Sequence, residues 1–244
     1  MVVEEEAHLQ NDASAPACKI SIDYNYPDPA EENDTLTQRI NHTVQSQLFG
    51  GEYADLAPQA AVDSFKNAYI SNYRKEMEGF YREDLKNGTP KEELPSWYNY
   101  EYMLTTHFED GKEGVFCFTS TTSEYTGGAH PNTWGKWMNF DKASGKQLTL
   151  EDVFMDGAEA PLKQLLTEAL IAEASERMED STLQSLDDLR NAGILIAADM
   201  YVTDNFLLEK DKVSFLYNQY DIAPYSMGQF ILSIPYAAIE KYMK

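Results

Sequence analysis

One histidine in this chain stands where an imidazole could do chemistry. His130 follows a glycine pair, Gly127 and Gly128, and precedes Pro131 and Asn132. An imidazole held in such a turn can serve as a general base or as a ligand. It can also simply close the turn with a hydrogen bond. No serine, cysteine or second histidine sits at a diagnostic spacing, so the plainer role is the expectation. His8, His42 and His107 are scattered and form no metal-ligand motif. The glycine pair is not a phosphate loop, because no Gly-Lys-Ser/Thr follows it. It reads instead as a bend where two backbone segments approach closely.

A second cluster lies downstream. Tyr217, Tyr220 and Tyr225 surround Pro224, with Asp221 among them and Gly228 closing the segment. Tyrosines beside one acid can stack on a sugar or anchor a protein partner. Trp134 and Trp137 could join them. The plain alternative is a core wrapped around a rigid proline turn. Asp180, Asp187 and Asp188 lack the glycine and glutamate spacing of a calcium loop and read as a solvated face. No catalytic set, cofactor or metal site is assigned. The stretches Tyr125–Phe154 and Phe215–Pro235 are expected to meet, with His130 and Tyr220 at one end.

The elements that must position these residues follow from periodicity. Residues 18–26 alternate apolar and polar as a half-buried strand, stopped by Pro27 and Pro29. Asp34 and Thr35 are helix N-cap candidates. Leu36, Ile40, Val44 and Leu48 then recur at helical spacing, and Gly50-Gly51 ends that helix. A longer helix follows Pro58 with an aromatic stripe through Phe65, Tyr69, Tyr73, Phe80 and Tyr81, a pattern of core packing. Trp97–Phe108 and Val115–Tyr125 read as strands. They are joined by a hairpin turn over Glu109–Lys112, whose Asp-Gly pair suits positive φ. Thr133–Phe140 is a further strand, and Thr149 caps a short helix. Leu162, Leu166 and Leu170 mark an amphipathic helix, and residues 183–198 suggest another. Strands are expected at 201–208, 213–217 and 230–234, and Pro235 opens a final helix. Hairpins with segregated helices make the α+β class, with mixed and antiparallel sheets and helices on one face, in two intimately packed subdomains.

Bulk properties narrow the function. The chain has 244 residues and a hydrophobic fraction of 43%, enough for a core. Its 19 basic and 41 acidic residues give a net charge of −22. That balance argues against nucleic acid and against an anionic membrane surface. The electrostatic complement is a basic partner, and the plain alternative is a charge that only keeps the protein in solution. No apolar run is long enough to span a bilayer. The opening residues run straight into Glu4, Glu5 and Glu6, so an export leader, with a lipid-anchor cysteine, is expected to have been removed. Cys18 and Cys117 are too few for a disulfide framework. They could form one bridge if their strands are neighbours, but buried thiols are the preferred reading.

The motifs carry a resemblance. Tyr125–Asn132, Asn139-Phe140-Asp141, Ser144-Gly145-Lys146 and Leu148–Phe154 resemble a bacterial extracytoplasmic domain of unknown function. So do Asn205-Phe206, Tyr217–Gly228 and Ile234-Pro235-Tyr236. That domain forms the C-terminal part of the ectodomain in RsiV-like anti-sigma factors. The N-terminal segment, with Cys18–Tyr26 as first strand, resembles the partner domain named from the PdaC deacetylase. Residues 1–17, acidic and polar with Pro16 near their end, read as a flexible tether, and the resemblance implies a PdaC-type domain at 18–124 and an RsiV-like domain at 125–244. RsiV-like ectodomains bind lysozyme and sense cell-wall attack, and PdaC enzymes carry their chemistry in a separate catalytic domain. The signalling and deacetylase roles are not expected here. The resemblance implies an extracytoplasmic envelope domain that binds a basic protein such as lysozyme, or a cell-wall glycan. The alternatives are a wall-modifying enzyme using His130 and an accessory domain without a ligand.

Overall fold

The computed structural model describes residues 1–27 and 34–244 and shows an α+β fold. Pro29, expected to help stop the first strand, lies outside the described residues. In chain order the first elements are β1 (Val2–His8), β2 (Ala17–Asp23), α1 (Thr35–Leu48), α2 (Pro58–Lys86) and β3 (Tyr100–Asp110). Next come β4 (Val115–Tyr125), β5 (Asn132–Asp141), β6 (Gln147–Leu148), α3 (Leu150–Val153) and α4 (Glu159–Met178). The last are α5 (Leu186–Asn191), β7 (Phe206–Leu208), β8 (Lys212–Tyr217), β9 (Phe230–Pro235) and α6 (Tyr236–Ile239). Strands β1 to β6 follow one another in a mixed sheet, and β7, β8 and β9 form a second sheet. The chain forms two compact units, neither a continuous segment. One is Met1–His107 with Ser120–Thr133; the other is Phe108–Thr119 with Trp134–Lys244.

In the first unit β2 runs parallel to β3, with Ile20 opposite Tyr102. A parallel pair needs a long crossover, and α1 and α2 supply it. Asp34 caps α1, its carboxylate accepting from the Leu36 and Thr37 amides at 3.1 Å. Gln45, fully buried, donates to the carbonyls of Tyr53, Ala54 and Leu56, which pins the turn after α1. The stripe on α2 is core except at Phe80, which is 56% exposed. The Phe65 and Tyr69 rings each lie 5.2 Å from the ring of Tyr102 on β3.

The opening residues are not a tether. β1 pairs antiparallel with β2 along its whole length, Val2 opposite Asp23 and His8 opposite Ala17. Its signal is weak because only Ala7 on the strand and Leu9 just beyond it are buried, and the acids Glu4–Glu6 fill the middle. Those acids suit the end of a sheet, where charge blunts a strand edge. Glu5 is also held by Lys66 of α2, at 2.5 Å.

In the second unit Leu162, Leu166, Leu170 and Ala174 give α4 one buried face. It shares a core with Val213, Phe215 and Tyr217 of β8 and with Phe230, Leu232 and Ile234 of β9. Three expectations need correction here. The helical segment expected over 183–198 shortens to α5, capped by Ser185, which accepts from the Asp188 amide. The strand expected over 201–208 shortens to β7. The residues ahead of it find other partners, the Asn205 amide donating to the Thr203 hydroxyl and the Tyr201 carbonyl accepting from the Tyr217 hydroxyl. The hairpin glycine Gly111 is not there for positive φ, which falls on Gly114 at 79°. It is there for room: a Cβ on Gly111 would lie 2.3 Å from the Leu208 carbonyl oxygen and 2.4 Å from Cys117 Sγ.

Thr149 forms a reciprocal capping box with Asp152 at the start of α3. The Asp152 carboxylate accepts from Lys146 at 2.6 Å and from the Thr149 amide and hydroxyl. Those donors hold its pKa down to about 2, Lys146 first. A carboxyl lower in the folded than in the unfolded chain, where it sits near ~3.9, stabilises above that pH and loses its contribution as pH falls toward the folded value. Thermal melts should therefore show stability falling between about pH 4 and pH 2, with Asp152→Asn less sensitive in that window. Equal acid sensitivity of both proteins would remove Asp152 from the account.

Candidate functional site

The tyrosine segment belongs to the second unit and is built on the end of β8. Tyr217 is fully buried, and its hydroxyl donates to the Tyr201 carbonyl at 2.5 Å. Burial pushes that phenol far above its usual range. It is an anchor, not an acid or base. Asn218 comes next and fixes the direction of the turn. Its side-chain oxygen accepts from the Gly135 amide at 2.7 Å, and its side-chain nitrogen donates to the Gly135 carbonyl at 3.1 Å. Gly135 follows Trp134 on β5, so the half-buried Trp134 is brought beside the tyrosine segment.

The turn then closes on itself. Asp221 accepts from the Asn218 amide at 2.7 Å, and the Tyr220 amide donates to the Ala223 carbonyl at 3.1 Å. Ile222 and Ala223 dive into the core. Pro224 leads a short turn at Tyr225–Met227, which Gly228 ends. Arg177 of α4 donates to the Met227 carbonyl at 2.9 Å and stacks over Phe230. The cost of this arrangement falls on Tyr220, which sits at φ 71° in the left-handed region. That conformation is an outlier for a bulky residue. The residue is 54% exposed, with the Tyr225 ring 5.9 Å from its own.

A neighbouring segment widens this surface. The Ile196 amide donates to the Ile222 carbonyl at 2.8 Å, and the Tyr201 ring packs edge-on to Tyr217 at 5.4 Å. Ile196 is 54% exposed and Tyr201 41%. These two residues were not singled out in the sequence, because an exposed apolar residue in a short loop has no periodic signature.

His130 and Asn132 belong to the first unit and are exposed there. His130 Nδ1 lies 3.0 Å from the Pro131 carbonyl oxygen. Gly127 has φ 86°, and a Cβ on it would lie 2.5 Å from the Trp97 carbonyl oxygen, so the bend before His130 needs glycine on both counts.

The motif asparagines turn out to be structural. Asn139 is buried on β5, and its carboxamide pairs with β7 as a peptide group would. It donates to the Phe206 carbonyl at 2.9 Å and accepts from the Leu208 amide at 2.8 Å. Asn205 does the same in reverse, accepting from the Trp137 amide at 2.6 Å and donating to the Gly135 carbonyl at 2.9 Å. Asn139 between the apolar Met138 and Phe140 was the available signal. Replacing Asn139 with leucine strands a buried amide and a buried carbonyl, each costing ~1–3 kcal/mol. Urea unfolding of Asn139→Leu should show about 3 kcal/mol lost. A loss under about 0.5 kcal/mol would mean that these bonds contribute little.

The cysteines offer no chemistry. Both are buried free thiols, and desolvation pushes each up to about 12, far from a reactive thiolate at neutral pH. No helix among the described residues is long and apolar enough to cross a membrane.

Two family models match the chain. One is Deacetylase PdaC, over residues 16–133, and the other is Protein of unknown function (DUF3298), over residues 151–237. Both families are typically extracellular. Among curated proteins none matches. A crystal structure of a DUF3298 family member from Bacteroides fragilis NCTC 9343 is similar with TM-score 0.88 and 30% identity. The match covers 100% of this chain and 92% of that one. A DUF3298 family protein from Pseudomonas aeruginosa PAO1 shares the fold, with TM-score 0.66 and 18% identity over 100% of this chain and 92% of that one.

Proposed function

Since this chain belongs to the DUF3298 family and carries a PdaC-type N-terminal domain, we propose that it is an extracytoplasmic recognition module. Its ligand is a basic protein of lysozyme type, as the resemblance to RsiV-like ectodomains suggests, and the native protein is exported, with a lipid anchor. The observation that carries this reading is Tyr220. A strained backbone persists only where the surrounding structure over-determines it, and such strain clusters at binding sites. Here it holds a large aromatic side chain out in water, with the Tyr225 ring 5.9 Å away. Rigid aromatic anchors of this kind dominate protein interfaces. The net charge of −22 favours a cationic partner and a fast, salt-sensitive association. A cell-wall glycan is favoured less, because one Asp221 oxygen is already committed to the Asn218 amide.

Calorimetric titration against lysozyme, at about 0.01 M and about 0.15 M salt, tests this. Binding should survive at the higher salt, and Tyr220→Ala should weaken it by more than ~1 kcal/mol. No heat at either salt would sink the proposal. So would binding that disappears near 0.15 M and ignores Tyr220→Ala, because that is diffuse charge attraction alone.

A further inference from the structure

The second unit carries a groove distinct from the tyrosine surface. The capping box starts α3, and after Val153 the chain is tied down by a bridge between Phe154 and Met243 and by the Met155 amide donating to the Tyr242 carbonyl at 2.8 Å. Gly157 then turns it into α4. The corner so formed, with Val202 and Asp204 alongside, encloses a groove of about 320 Å³. Its floor is apolar: buried Phe154 and Leu162, half-buried Leu150 and Val202, and Met155, 48% exposed. Its rim is acidic: Glu151, Asp156, Glu159 and Asp204, all exposed.

Some acids of this unit are matched by cations, as in Asp152 with Lys146, Glu173 with Arg177, Asp187 with Arg190, Asp199 with Lys163 and Glu209 with Lys212. None of the four rim carboxylates forms an ion pair among the described residues. The nearby cation, Lys244, donates to the backbone carbonyl of Glu151. The carboxylates are also spread out: among the described residues no group of His, Cys, Asp or Glu is gathered to hold a metal ion. Separated negative charges over an apolar floor suit an elongated cation with a hydrocarbon stem. A lysine side chain is that shape, its methylenes lying on apolar surface while the ammonium meets the rim.

We propose that this groove receives a lysine side chain presented by a basic polypeptide, as a second point of attachment besides Tyr220. It rests on the reading of a cationic protein partner, but the two sites are separable by experiment. The probe is a fluorescein-labelled peptide of alternating lysine and glycine, followed by polarisation against the full chain at about 0.15 M salt. Neutralising the rim in Asp156→Asn/Glu159→Gln/Asp204→Asn should weaken binding by about tenfold or more, the scale of one lost charge-assisted contact. Glu92→Gln/Glu93→Gln/Glu113→Gln removes the same charge from exposed positions away from the groove and should change binding less than about twofold. Tyr220→Ala should also leave peptide binding within about twofold, whatever it does to lysozyme. Acetylating the peptide lysines should abolish binding. Equal losses from the two triple variants, or no binding of the peptide at this salt, would overturn the proposal. Equally strong binding of spermidine would overturn the polypeptide as occupant. All substituted side chains are exposed, so thermal melts should match the unaltered chain and separate loss of binding from loss of fold.

Discussion

Residues 125–244 expressed alone should fail to fold, with no cooperative thermal transition and with exposed apolar surface. The second unit is not made from that segment alone, since it also contains Phe108–Thr119. From that piece Val115 and Cys117 enter the core shared by α4, β8 and β9, and Phe118 is fully buried. The same piece supplies backbone partners: the Lys112 amide donates to the Leu208 carbonyl at 2.8 Å, and the Gly114 carbonyl accepts from the Lys142 amide at 2.9 Å. Burying one large apolar side chain is worth ~1.5–3 kcal/mol. Losing several, with the hydrogen bonds, approaches the ~5–15 kcal/mol that holds a typical domain together. Circular dichroism through a thermal ramp checks this. A transition in the fragment as sharp and as high as that of the full chain would refute it.

Gly111→Ala should be among the most damaging single substitutions in the molecule. The added methyl would lie 2.3 Å from the Leu208 carbonyl oxygen and 2.4 Å from Cys117 Sγ. Neither neighbour has room to yield. The Leu208 carbonyl lies on β7, its own amide held by Asn139 at 2.8 Å, and Cys117 is buried with its thiol directed at the same carbonyl, 3.3 Å away. Overpacking of a rigid site costs ~1–3 kcal/mol and occasionally more, and a clash with backbone belongs at the upper end. Urea unfolding should show about 3 kcal/mol lost or no folded protein at all. Gly114→Ala is the control. Nothing lies within 4 Å of its Cβ, so only the strain of φ 79° is added. If Gly111→Ala costs no more than Gly114→Ala, the close approach is not what selects glycine at 111.

The class of fold and the framework of elements can be read from the residues alone. Local signals sufficed wherever the cause was local. Asp34 accepts the amides of the turn it starts, Thr149 and Asp152 cap each other, and β4 runs over Val115–Tyr125 as its composition indicates. Leu162, Leu166 and Leu170 announced the buried face of α4. The remaining features depend on groups far apart in the chain. The acidic opening becomes a strand because β2 offers it an edge, not because its own pattern demands one. Gly111 is required by a carbonyl on β7, and Asn139 and Asn205 are required by backbone groups that a local pairing rule does not reach. Tyr220 is pushed into the left-handed region, and into water, by Asn218 and Asp221 closing the turn on one side and Ile222 being drawn into the core on the other. Periodicity records which face of an element is buried. It carries no record of which distant backbone comes within a few ångströms, and that proximity sets the surface on which recognition is proposed.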